Sequence, residues 1–251
     1  MKPVGIGLLL IAAGLCVPAR AGAQSPAWGA GAGLTFVYTA DGAGDATSLS
    51  ENLPEALSGL RLPLRPQPIP WCRYGTVLLD YQDTQAQLAA AAELAGRAQA
   101  VRYAYPGCRV VFLGHSAGTY VVLAAAAAMP PGSVDRIVLL SSSLSFCYDL
   151  SGALRASCGG IDNFYSPYDG ILDLTPTLGT TDRIPTVSAG AVGFRRPPAG
   201  DVALYQNLRQ YRWNESLRGQ GGHLVWTHPA MLRAYIVPLL LSPAPVVTPA
   251  R

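Results

Sequence analysis

Short apolar runs bounded by Gly, Asp and Pro alternate along this chain with longer stretches of strong helix formers. The runs at 34–38, 76–81, 109–113 and 135–140 are rich in Val, Leu, Ile, Phe and Tyr. They predict strands that are apolar throughout, as in a sheet covered on both faces. Between the first two, LPLRPQPIP (62–70) predicts a proline-rich surface loop. Segment 84–103, packed with Ala, Leu, Gln, Glu and Arg and closed by Pro106-Gly107, predicts a helix. Segment 117–128, mostly alanine and stopped by Pro130-Pro131, predicts a second helix lying close against a sheet. Strand, helix, strand, helix, strand implies right-handed crossovers, hence an α/β fold with a mostly parallel central sheet and helices on both faces.

Beyond position 144 the pattern loosens. It predicts strands at 161–166 and 210–213, a largely loop segment at 167–208, and a closing helix at 231–241 broken near Pro238. No long insertion separates the strands at 135 and 161, so little or no cap domain and an open site are expected. No internal repeat or interdomain linker appears, which leaves one domain over 24–242 and a Pro-rich tail at 243–251.

Composition narrows the function. The chain has 251 residues, 50% hydrophobic and 13% charged, enough apolar material for one sizeable core. The formal charge of +3 includes Lys2 and Arg20 of a segment expected to be removed, so nucleic acid is not an expected partner. That segment, MKPVGIGLLLIAAGLCVPARAGAQS, joins a positive end to an apolar centre from Val4 to Val17 and small residues at Ala21 and Ala23. It predicts a signal peptide over 1–23 and a secreted or periplasmic protein. The apolar centre is short for a membrane span, and Leu15 stands where lipid attachment at Cys16 wants a small residue. Export leaves Cys72, Cys108, Cys147 and Cys158, an even set that predicts two disulfides in an oxidising compartment. Three pairings are possible; Cys147 with Cys158, which closes a short loop, is favoured and leaves Cys72 with Cys108. With no CxxC spacing and three histidines in all, no metal or organic cofactor is expected.

The chemistry centres on Gly114-His115-Ser116-Ala117-Gly118, a G-x-S-x-G pattern placed where the 109–113 strand meets the 117–128 helix. A chain that turns from strand to helix so abruptly leaves no room for side chains beside the turn, hence the glycines, and holds the tip residue strained and exposed. The tip is Ser116. A hydroxyl nucleophile needs a base, and histidine serves best near neutral pH. His115, beside the tip, is expected to point away, leaving His223 in its Gly-rich loop and His228 before Pro229; His223 is preferred, and His228 reads as a helix-start residue.

Through GHSAG in that context the chain resembles the α/β-hydrolase superfamily, and GGHLVW resembles the base loop of its secreted members. The resemblance implies a Ser, acid, His triad in chain order. Asp169 in YSPYDGIL is the first choice for the acid, Asp173 the second and Asp149 the third, each also readable as a turn or helix cap. It also implies an oxyanion hole made by the N–H of Ala117 and one from the loop TADGAGD, where Ala43 is nominated with Gly42 next. Asp41 stands there in place of the family's histidine. Trp213, Trp226, Tyr165 and Tyr168 lie near these loops in sequence and read either as pocket lining or as core.

The expected activity is that of an exported serine esterase or lipase-like enzyme acting on a small-molecule or lipid ester through an acyl-enzyme intermediate. A cutinase-like hydrolase, thioesterase or peptidase would use the same parts. The alternative from another class is a non-catalytic binding or cell-envelope protein that keeps the fold.

Overall fold

The computed structural model describes residues 33–44, 48–217 and 221–242; the expected signal peptide at 1–23 and tail at 243–251 lie outside them. Among the described residues six strands form one sheet, parallel throughout: β1 Thr35–Ala40, β2 Leu64–Pro68, β3 Arg109–His115, β4 Arg136–Leu140, β5 Ile161–Tyr165 and β6 Leu208–Arg212. Their spatial order is β2-β1-β3-β4-β5-β6. The crossovers carry α1 (Ser48–Leu57), α2 (Val77–Gln82), α3 (Thr84–Ala104), α4 (Gly118–Ala127) and α5 (Ser151–Ala156).

The apolar strands are explained by two cores. Val110 and Phe112 of β3 face a cluster with Leu94 of α3, Val121 and Ala125 of α4 and Ala153 of α5. Val111 and Leu113 face the opposite cluster, with Leu49 and Leu53 of α1 and Leu232 and Ile236 of a closing helical run over 229–241. A strand buried on both sides has no polar face to alternate with. Each fully buried Leu, Val or Ile contributes about 1.5–3 kcal/mol, which makes the central strands the rigid platform for whatever projects from their ends.

Two sequence expectations are overturned. Segment 62–70 contains the edge strand β2 rather than only a loop. Ile69 N donates to Thr39 O, and because neighbouring amides in a strand point to opposite sides, the donorless Pro66 and Pro68 face outward from the sheet. Proline thus forms this edge and also blocks further pairing on it. Segment 76–81 is the short helix α2 rather than a strand. Its Val77, Leu78 and Leu79 are exposed, while the acid that follows them, Asp80, is buried and accepts the N–H groups of Arg73 and Tyr74 at 2.7 and 2.9 Å.

The closing run departs from regular helix at the expected proline. Leu232–Ile236 forms a π-helical turn just before Val237–Leu241, which contains Pro238. A proline ring removes one N–H and crowds the preceding turn, so the ladder widens there.

Among the described residues no disulfide joins Cys72, Cys108, Cys147 or Cys158. In a parallel sheet, segments that follow strands and segments that precede them lie on opposite rims. Cys147 follows β4 while Cys158 precedes β5, with α5 running between them. Cys72 Sγ lies 3.5 Å from Gly42 O just beyond β1, whereas Cys108 precedes β3. Short spacing in sequence therefore spans the full length of the sheet.

Candidate active site

β3 ends and α4 begins around one strained residue. Ser116 has φ of 52, in the left-handed region that non-glycine residues avoid, and is nearly buried, with 9% of its surface exposed. The flanking glycines answer a measurable crowding. A Cβ on Gly118 would sit 2.3 Å from both Ala40 O and Asp41 O, and one on Gly114 would sit 2.8 Å from Val122 Cγ2. The same contact shows that the segment leaving β1 lies directly on the elbow.

The acid and base candidates arrive from later strand ends. Asp169 follows β5 and is fully buried; its Oδ2 lies 2.8 Å from His223 Nδ1, and its Oδ1 accepts the N–H of Leu172 at 3.2 Å. His223 follows β6. In its loop Gly221 has φ of 71, a Cβ there would strike Trp213 at 2.8 Å, and Gly221 O accepts the hydroxyl of Ser166. A strained serine after the third parallel strand, a buried carboxylate after the fifth and its imidazole partner after the sixth decide the architecture.

This is the arrangement of an α/β-hydrolase fold. No protein-family model matches the sequence, and no curated protein does. Among solved structures it is similar to a cutinase-like protein from Cryptococcus sp., at TM-score 0.46 and 10% identity, covering 85% of this chain and 98% of that one. It is also similar to a putative hydrolase of the α/β superfamily from Xanthomonas campestris pv. campestris, at TM-score 0.45, 18% identity, and 82% and 97% coverage. A third is a Trichoderma reesei cutinase in complex with a phosphonate inhibitor, at TM-score 0.38, 16% identity, and 85% and 78% coverage.

The other sequence candidates of this α/β-hydrolase fold occupy different places. Asp173 lies in the 3-10 turn Leu172–Leu174 and donates its N–H to Asp169 O. Asp149 accepts the N–H of Ser151 and the hydroxyl of Tyr205, so its carboxylate caps the start of α5. His228 Nδ1 accepts the N–H of Ala230 and caps the closing helical run. Ala117 is the N-cap of α4, where the first amides of a helix lack intrahelical acceptors, and Ala43 is buried in the loop after β1. Asp41, unexplained by sequence alone, accepts the N–H groups of Leu49 and Ser50 at 2.7 and 3.2 Å and so ties that loop to the start of α1. Burial pushes its pKa up against those donors. A cavity of about 270 Å³ opens beside Gly42, walled largely by Pro68, Ile69, Pro70 and Trp71.

Sequence reasoning missed three residues around the site. His115 does not point away: its ring lies 4.9 Å from that of His223, and its Nε2 lies 3.2 Å from His223 O. Ser141, just after β4, also bonds that carbonyl, at 3.0 Å. Asp80 of α2 receives backbone donors from the neighbouring loop, Gly44 among them. Only Asp80 carried a signal, a lone acid inside an apolar run. The aromatic residues divide: Trp226 is core, packed on Phe164 at 5.0 Å, while the half-exposed Tyr168 stacks edge-on against buried Trp213 at 5.2 Å.

Proposed function

We propose that this protein is a serine hydrolase that cleaves carboxylic esters through an acyl-enzyme intermediate. The observation that carries the reading is the 2.8 Å bond between Asp169 Oδ2 and His223 Nδ1, on a loop fastened to the residue that precedes the strained Ser116. A carboxylate accepting from Nδ1–H leaves Nε2 with its lone pair, the form needed to take a serine proton.

In this reading Ser116 Oγ attacks the ester carbonyl carbon as its proton passes to His223 Nε2. Asp169 orients the ring and stabilises the imidazolium. The carbonyl oxygen, now negative, is received by the N–H groups of Ala117 and Ala43, each worth about 3 kcal/mol. His223 returns the proton to the departing alcohol, and water, deprotonated by the same imidazole, releases the acid and restores Ser116. The cycle as written draws on no metal or organic cofactor. Export by the 1–23 signal peptide to the periplasm or the cell exterior belongs to the same proposal, and a secreted form whose mass begins at Gln24 is its expected sign.

A fluorophosphonate probe tests the chemistry. It is expected to label the folded protein and not Ser116→Ala. On p-nitrophenyl esters, His223→Ala is expected to lower kcat by about 10⁶-fold, and His228→Ala to leave it unchanged. Folded wild-type protein that takes no label and turns over no ester would instead favour a binding protein that keeps the fold.

A further inference from the structure

Two donors hold the backbone of His223, and no step of the proposed cycle uses either. The His223 carbonyl accepts from His115 Nε2 at 3.2 Å and from Ser141 Oγ at 3.0 Å. A carbonyl oxygen only accepts, so His115 carries its proton on Nε2 and leaves the Nδ1 lone pair bare. Among the described residues no donor reaches that buried Nδ1. Ser141 is unusual in a second way: it is fully buried with φ of 47. Both residues are poor choices for stability alone. An apolar ring at 115 would bury no unpaired nitrogen, and a glycine at 141 would relieve the left-handed backbone. What their side chains share is the one carbonyl.

We infer that His115 and Ser141 are positioning residues that clamp the His223 carbonyl at two points and so fix the imidazole beside the serine elbow. The inference rests on the proposed hydrolase cycle. The clamp answers a need visible in the chain: His223 follows Gly221-Gly222, which impose little conformational preference of their own, and Ser166 anchors only the carbonyl of Gly221 upstream. The His115 donor is also durable. Burial, with the neighbouring His223 acting in the same direction, holds the His115 pKa down to about 3, so the ring stays neutral while His223 gains and loses its proton.

The test compares His115→Phe, His115→Gln, Ser141→Ala and Ser141→Gly by melting temperature, by kcat and KM on a p-nitrophenyl ester, and by amide exchange over 221–227. His115→Phe is expected to melt no lower than wild type, to lose about tenfold in kcat at unchanged KM, and to exchange faster in that segment. His115→Gln, whose amide N–H reaches the same carbonyl, restores most of the kcat. Ser141→Gly melts higher than Ser141→Ala yet shares its loss of kcat. Wild-type kcat and exchange in both His115→Phe and Ser141→Ala, or a Gln variant no better than Phe, overturn the clamp. Full turnover in Ser116→Ala would topple the hydrolase reading instead, and the exchange data judge the clamp in either case.

Discussion

Two carboxylates, Asp162 and Asp169, lie on opposite rims of the same sheet and are equally inaccessible to solvent, yet their surroundings differ in kind. Asp162, near the start of β5, is met by Arg136 Nη1 at 2.7 Å, by Arg209 Nε and Nη2 at 2.7 and 2.8 Å, and by the Tyr211 hydroxyl at 3.0 Å. Its charge is compensated from three sides and has nothing left to do. Asp169, just past the end of β5, has one imidazole and one backbone N–H. Its partner is an imidazole, the kind of side chain best suited to pass a proton to and from a reacting group. The strand-start rim thus spends its charges on holding the sheet together, while on the strand-end rim Asp169 meets a single imidazole.

Four measurements break or sharpen that contrast. The largest effect is expected for Asp169→Asn, which keeps an acceptor for Leu172 N–H but no longer selects the Nδ1–H tautomer. Its kcat should fall about 10⁴-fold with little change in melting temperature. Asp162→Asn should do the reverse, costing about 3–5 kcal/mol in urea unfolding because Arg136 is left buried without its counter-charge, with kcat per folded molecule retained. If the two substitutions exchanged these signatures, the division of labour between the rims would be wrong.

Gly118→Ala comes next. Its Cβ would meet two carbonyl oxygens at 2.3 Å, so the elbow and the loop beyond β1 must move apart. A loss of about 3 kcal/mol is expected, together with much weaker fluorophosphonate labelling; wild-type stability and labelling would contradict the crowding. The smallest effect is that of Asp80 on the strand-end rim. Burial pulls its pKa up, but N–H donors from Tyr74, Arg73, Gly44 and Gly75 outweigh it and hold the pKa below the usual carboxylate value. A group whose folded pKa is depressed stabilises above its unfolded pKa of about 3.9, and that contribution is lost as pH falls through the folded value. Unfolding curves of wild type and Asp80→Asn should therefore differ at neutral pH and converge in acid. Parallel curves across that range would count against the assignment.

Much of the fold was legible because its signals are local. The apolar runs at 109–113 and 135–140 became β3 and β4, and 84–103 became α3, since periodicity and helix stop signals act over a few residues. Segments 62–70 and 76–81 were misread for one shared reason. Whether an apolar stretch becomes strand or helix depends on who pairs with it, and the place beside β1 went to the proline-bearing β2. The expected cysteine pairs were read from spacing, which says nothing of which rim a cysteine occupies. At the site, the elbow was readable from its glycines, whereas the direction of the His115 ring was not, since its partner lies 108 residues away.

By itself the sequence determined a parallel α/β sheet with a tight serine turn after a central strand, because hydrophobic runs and the steric demands of glycine are settled within a few residues of themselves. Only the tertiary structure decided which carboxylate meets the imidazole, what Asp41 and Asp80 hold, and that His115 and Ser141 converge on one carbonyl. Those outcomes depend on strand order and crossover length, which bring together atoms that no local pattern relates.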